Sequence, residues 1–331
     1  MSWNIFIFHL SYNNIIMKNI YSNIFTYNQK NLNKCILALE RGNVVGVPTE
    51  TVYGLAGNAY SKKAVSKIYR LKKRPKFNPL IVHYSDYKKA GRDVVLNEKF
   101  FKLYKKFCPG PVTFILKKKK NSKIYKLVNG NLKTVAVRFP NHKITKILLK
   151  KIQFPLAMPS ANVSGGISPI CAKDVAEEFK KKIKFIIDGK RSKIGIESTV
   201  IDLTKKPKIL RKGIIDANKI RKILRVEYIK KSRIINSPGL LRKHYSPGIP
   251  IKLNQKECKI GAAFITFGNK YKDSKNYFNL SKNGDLKEAA SNLYKIFRKI
   301  KKKGFKQICV VKIPNKEAGI AINDRLLRAS K

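Results

Sequence analysis

GVPTETVYGLAG, residues 46–57, packs two threonines, a glutamate, a tyrosine and three glycines into a stretch without a single lysine, in a chain that carries 73 lysines and arginines. Directly before and into it runs the apolar segment Val44, Val45 and Val47, which reads as a short buried strand. The preceding residues Leu32, Cys35, Ile36 and Leu39 recur at helical spacing over 31–41, and Gly42 closes that helix. A helix, a buried strand and then a turn rich in glycine and hydroxyl groups describe the lip of a small-molecule site. The glycines let the backbone leave the strand sharply, and Thr51 is the hydroxyl expected to face a ligand.

Working outward, Ala64, Ile68 and Leu71 give a second helix that runs into KKRPKFNPLIVHY (72–84), where Pro75 and Pro79 exclude helix and Leu80–Val82 reads as strand. A helix over 98–107 ends at CPGPVTFIL (108–116), a turn followed by the strand Val112–Leu116. In TVAVRFP (134–140), Val135, Val137 and Phe139 share one face and Arg138 takes the other. PLAMPSANVSGGISPI (155–170) is too long and too rich in Ser, Pro and Gly for a plain turn and reads as a functional loop. Strands follow in KFIIDG and ESTVIDL. This order predicts an α/β sheet domain over 29–215, preceded by an extension over 1–28. Residues 216–250 read as a linker opening on a basic helix, and 251–331 as a smaller Rossmann-like α/β domain of βαβα order.

At 331 residues the chain exceeds the roughly 100–200 of one domain. Its formal charge of +54 attracts polyanions, which keeps nucleic acid, nucleotides and acidic membranes in view. The lysines lie in short scattered runs (117–120, 180–182, 301–303) and form no arginine-rich arm, a pattern that fits compositional drift better than a dedicated nucleic-acid face. Five widely spaced cysteines without a CxxC pair argue against a disulfide frame or structural zinc, and fit a reducing, cytoplasmic setting. No run suits a membrane span. The opening MSWNIFIFHLSYNNIIMKNI lacks the features of a secretion signal, and Met17 is the expected true start.

A P-loop, a GxGxxG turn after a strand, HExxH and GxSxG are all missing. What remains is a set of polar clusters at strand ends and in Gly/Pro loops. Each has an ordinary reading by itself: Arg74 as a helix C-terminal cation, His83 as a satisfied imidazole, Ser160 and Asn162 as caps, Asn78 as a turn former, Thr113 and Thr134 as strand residues, and Ser198 as a backbone cap.

Together and in order, VVGVPTETVYGLAGNA, LKKRPKFNPLIVH, PGPVTFIL, TVAVRFP, PSANVSG, IGIESTVIDL and LRKG resemble the threonylcarbamoyl-AMP synthase family, also called YrdC-like. The resemblance spans roughly residues 30–215. The linker SPGLLRKHYSP (237–247) and the tail EAGIAINDRLLRAS (317–330) resemble its longer, two-domain branch.

The resemblance implies a YrdC-like twisted mixed β-sheet domain with helices, plus a smaller C-terminal α/β domain. It also implies that L-threonine, bicarbonate and ATP are joined into threonylcarbamoyl-adenylate, a nucleotidyl transfer that releases pyrophosphate and serves N6-threonylcarbamoyladenosine formation at position 37 of tRNA. By residue, Lys72 and Arg74 are the expected catalytic cations. Arg74, Asn78, Thr134, Ser160, Asn162, Ser168 and Arg211 are the expected ATP contacts, joined from the linker by Arg242 or Tyr245, because this chain has Arg242 where relatives carry an aromatic residue. Thr51, His83, Arg138, the backbone near Met158, and Ser198 are the expected L-threonine contacts. Mg²⁺ is expected to arrive with ATP rather than in a carboxylate cage, and a downstream tRNA-modifying transferase is the expected partner. Direct tRNA contact stays open, and the competing reading is a basic RNA-binding maturation or assembly factor without catalysis.

Overall fold

The computed structural model describes residues 20–225, 227–228, 244–258, 260–271 and 274–331. The start at Met17 and the contact of Arg242 fall outside these residues.

Among the described residues, eleven strands form the first sheet: β1 Ile24–Thr26, β2 Val45–Val47, β3 Gly54–Asn58, β4 Ile81–His83, β5 Val112–Lys117, β6 Thr134–Arg138, β7 Leu156–Ala157, β8 Ile186–Asp188, β9 Thr199–Asp202, β10 Lys208–Arg211 and β11 Glu227–Tyr228. Their spatial order is β1-β8-β2-β3-β7-β4-β6-β5-β9-β10-β11, with parallel and antiparallel pairs mixed. The expected mixed α/β sheet is what the chain builds. Two boundaries differ from the sequence reading. β1 pairs with β8 before residue 29, and β11 pairs with β10 beyond residue 215, so the sheet reaches into both the extension and the linker. Both edge strands are too short for their periodicity to register, and it is pairing that makes them strands.

The helices at 29–40, 62–72 and 98–107 begin on Asn28, Ser61 and Asn97, whose side-chain oxygens accept the backbone N–H three residues on. Each such cap contributes about 1 kcal/mol. Tyr53, Ile68, Val82, Phe100, Phe114 and Val137 join one large core on one face of the sheet.

The second sheet holds β12 Ile251–Lys252, β13 Ala263–Thr266, β14 Tyr277–Asn279 and β15 Ile308–Val310, all parallel, in the order β12-β15-β13-β14. β12 and β14 were not foreseen in the βαβα reading. The long helix Leu286–Lys302 buries Leu286, Ala290, Leu293, Phe297 and Ile300 against this sheet, as the heptad-like spacing of those residues predicts. The core of this domain does not stop at its own boundary, because Val52, Ile167, Ile170 and Ile196 of the first domain belong to the same apolar cluster. Gly195 sits at the seam with φ +77°, and a Cβ there would lie 2.6 Å from the Ser291 backbone. All five cysteines are free. Among the described residues no helix is long and apolar enough to cross a membrane.

Candidate active site

Register across the first sheet places His83 beside Arg138, Arg138 opposite Thr113, Thr113 beside Val200, and Val200 opposite Arg211. Residues two apart share a face. Ile81, Ile115, Ala136 and Val200 accordingly form a small apolar patch on the face that carries His83 and Arg138, while Val82, Phe114 and Val137 enter the main core. The alternation in TVAVR therefore aims Arg138 away from the core.

Arg74 arrives from a helix end. Lys73 adopts a left-handed conformation (φ 49°), the Arg74 N–H turns back to the Tyr69 carbonyl at 3.0 Å, and Pro75 prevents the helix from continuing. The guanidinium is then fixed by its own segment. Nε donates to the Asn78 carbonyl at 3.0 Å, and Nη2 donates to Asn78 Oδ1 at 2.6 Å and to the Pro79 carbonyl at 2.8 Å. Asn78 thus orients Arg74 from a fully buried position.

Lys72, expected in a catalytic role, lies elsewhere. It continues the buried stripe of Ala64 and Ile68 at i+4 steps, and its Nζ donates to the carbonyls of Ser160 and Asn162. Burial first, and then the Arg74 charge, push its pKa well below that of an ordinary lysine. Lys72 therefore props the 159–166 loop from beneath. Asn162 has a similar place, since its Nδ2 donates to the carbonyls of Val163 and Gly166 while its Oδ1 accepts from Ser160 Oγ at 2.6 Å. Ser160, with Pro159 before it, is the part of this loop that lines the cleft.

The cleft has a volume of about 560 Å³ counting its open mouth, and Arg74, His83, Arg138, Met158, Ser160 and Arg211 all line it. These six come from segments up to 137 residues apart in the chain (211 − 74). Ser198 stands directly behind the wall, where its carbonyl and hydroxyl accept from Arg211 Nε and Nη2, both at 3.0 Å, and its Oγ lies 2.7 Å from Thr113 Oγ1.

Other expected contacts sit differently. Thr51 is fully buried with Oγ1 2.9 Å from Thr49 Oγ1, and it is Thr49 that lines the cleft. Thr134 occupies the far end of β6, opposite Lys117, four residues from Arg138. Ser168 donates to Glu197 Oε1 at 2.6 Å. Tyr245 is buried in the core of the C-terminal domain, stacked on Tyr294 at 6.0 Å, and its hydroxyl has no hydrogen-bond partner among the described residues.

Among the polar lining residues, Thr49, Tyr53, Glu197 and His244 escaped the sequence reading. Glu50 lies just behind the wall, its Oε1 accepting from Arg138 Nη2 at 2.8 Å. Both glutamates sit inside motifs that were noticed, PTET and ESTV. An acidic residue amid a surplus of lysines was the available signal.

Buried cations dominate the electrostatics. Burial lowers the pKa of Arg74 to about 10, with the Arg211 charge adding to the shift, and burial also lowers that of Arg211, helped by the charges of Arg325 and Arg138. Clustered buried guanidinia are costly unless an anion joins them. His83 is held well below its usual range by burial and by Arg138, and is neutral at pH 7. Burial brings His244 down to about 3. Burial opposes ionisation of Glu197, but the charges of Arg325 and Arg211 overcome it and leave the carboxyl at about 2.

These shifts have one sign. Each folded pKa lies below its unfolded value, so the unfolded chain takes up protons first and acidification destabilises the fold. The two histidines contribute full stability above about pH 6.5 and lose it below that, each at up to about 1.4 kcal/mol per pH unit. Glu197 adds its loss only below about pH 4.3, down through its folded value of about 2. Urea midpoints are expected to fall from pH 7 to pH 5 and to fall less steeply in His244→Gln. A midpoint independent of pH over that range would contradict this reading.

Residues 37–213 match the family described as "Telomere recombination", and residues 215–331 match "Threonylcarbamoyl-AMP synthase, C-terminal domain". The chain is 36% identical to the threonylcarbamoyl-AMP synthase of Pyrococcus abyssi, over 88% of this chain and 92% of that one. It is 32% identical to the enzyme of the same name from Bacillus subtilis, over 88% and 90%. The crystal structure of P. abyssi Sua5 complexed with L-threonine superposes with a TM-score of 0.86 at 32% identity, covering 93% of this chain and 97% of that one. With both domains matched and the polar motifs drawn to one cleft, the chain belongs to the threonylcarbamoyl-AMP synthase family, in its two-domain form.

Proposed function

We propose that this chain is a nucleotidyltransferase that forms threonylcarbamoyl-AMP from L-threonine, bicarbonate and ATP for tRNA modification. The observation that carries this reading is the convergence of three buried guanidinia, Arg74, Arg138 and Arg211, on a single cleft with neutral His83 beside them. Three fixed cations suit a ligand set that brings a triphosphate and a carboxylate together. Guanidinium forks bind both kinds of oxygen in bidentate fashion.

The reaction needs positioning more than covalent help. Condensation of the threonine amine with bicarbonate gives a carbamate and releases water. A carbamate oxygen then forms a bond to the α-phosphorus as the bond to the β-phosphate bridge breaks, and pyrophosphate leaves. In this reading Arg138 holds the threonine carboxylate while Arg74 and Arg211 meet phosphate oxygens. Magnesium would enter with the triphosphate. Glu197, the carboxylate in the cleft lining, is already engaged by Ser168, Tyr294 and Arg325, and no group of three His, Cys, Asp or Glu among the described residues is placed to hold an ion.

Pyrophosphate release is expected to require ATP, threonine and bicarbonate together. Full release with threonine omitted would overturn the assignment. A thermal shift with ATP plus threonine separates it from the RNA-binding reading, because ligand binding to the folded state raises the melting temperature. A shift with RNA alone would favour that alternative.

A further inference from the structure

Glu197 has partners from both domains. Its Oε1 accepts from Ser168 Oγ at 2.6 Å, the Tyr294 hydroxyl lies 3.1 and 3.2 Å from its two oxygens, and its Oε2 accepts from Arg325 Nε at 2.8 Å. Tyr294 and Arg325 belong to the C-terminal domain, on the helices Leu286–Lys302 and Glu317–Ala329.

Arg325 is fully buried and serves two walls of the cleft at once. Besides Glu197, it donates through Nη1 to Asp324 Oδ2 at 2.7 Å, and its Cζ lies 5.0 Å from the centre of the Tyr245 ring, a cation–π contact. Tyr245 follows His244, which lines the cleft and whose N–H donates to the Arg328 carbonyl at 3.2 Å. The next residue, Ser246, donates its N–H to Gly165 in the 159–166 loop. On the other side, Glu197 immediately precedes Ser198, which takes both hydrogen bonds from Arg211.

Domain docking alone does not call for this ion pair, because Ile167, Ile170 and Ile196 already bury apolar surface across the seam. A buried ion pair at a seam is seldom a net gain over apolar packing. Its place beside Ser198 and Arg211 points to the cleft.

We propose that Arg325 is a positioning residue: through Glu197 and the His244–Tyr245 segment it sets where Ser198 and Arg211 meet the substrates, so that the C-terminal domain completes the active site. The proposal rests on the catalytic reading above.

The test uses the full-length chain with Arg325→Gln and Arg325→Lys. Pyrophosphate release is measured from pH 5 to 9, the ATP dissociation constant by calorimetry, and the folded fraction by circular dichroism and melting. Arg325→Gln is expected to lower kcat per folded molecule at least tenfold and to weaken ATP binding at least fivefold. It is also expected to add an acid limb to the pH profile, because Glu197 then loses the largest charge that favours its ionised form and keeps Arg211, with Tyr294, Tyr245 and His244 around it. Arg325→Lys retains the charge without the fork, and is expected to abolish the acid limb and recover part of the rate.

A folded Arg325→Gln with kcat and ATP affinity within twofold of wild type would overturn the proposal. So would a loss wholly accounted for by a smaller folded fraction. If Arg325→Gln does not fold, Arg325→Lys decides, and wild-type kcat and ATP affinity in that variant would overturn the proposal. A wild-type chain that binds ATP without releasing pyrophosphate refutes the catalytic reading instead, and the ATP affinities of the variants still decide the role of Arg325.

Discussion

Arg74→Ala is expected to lower pyrophosphate release by about 10²–10³-fold while the fold survives, the scale of losing one preorganised charge-stabilising group in a water-poor site. The guanidinium is already oriented by three hydrogen bonds to Asn78 and Pro79, so it meets a phosphate without reorganising. Its removal takes a donor from Asn78 Oδ1 and from the Pro79 carbonyl, while the Asn78 carbonyl still accepts from the Tyr69 hydroxyl at 2.9 Å. The cost to stability is accordingly about 1–2 kcal/mol. Arg74→Lys keeps a point charge but loses the fork, and belongs between the two. Activity of the alanine variant above a tenth of wild type would remove Arg74 from the phosphate site.

Arg138→Ala has two consequences that a second substitution separates. Loss of the clamp on the threonine carboxylate is expected to raise the KM for threonine by about 10²-fold, in line with a charged hydrogen-bonded contact worth about 3 kcal/mol. Loss of the partner of Glu50 leaves a buried carboxylate alone, which costs about 3 kcal/mol of stability. Among the described residues Glu50 Oε2 has no hydrogen-bond partner, so none of them stands ready to replace Arg138. Adding Glu50→Gln to Arg138→Ala is expected to recover most of the stability and none of the threonine affinity. Recovery of both would mean that Arg138 merely neutralises Glu50.

The polar motifs were legible because each falls where a strand or helix must end. Arg74 follows a helix stopped by Pro75, and Arg138 alternates with Val135 and Val137 on β6. The place of Lys72 under the loop is predictable, since it lies on the Ala64–Ile68 stripe. Thr49 and Thr51 are two apart in one tight turn, and composition does not tell which hydroxyl faces the cleft. Tyr245 was expected at the nucleotide as a substitute for the aromatic residue that relatives carry where this chain has Arg242, and its ring packs in the C-terminal core.

The sequence by itself determined the local geometry: strand alternation that puts Arg138 off the core, caps and prolines that stop helices, and glycines where the chain turns. Those depend on neighbours within a few residues, which a linear pattern records. Only the tertiary structure decided that β1 and β11 join the sheet, that Glu50 pairs with Arg138, and that Arg325 reaches Glu197 from 128 residues away. Such pairings are set by which surfaces meet after the sheet is assembled, and a buried charge finds its partner there rather than in its own segment.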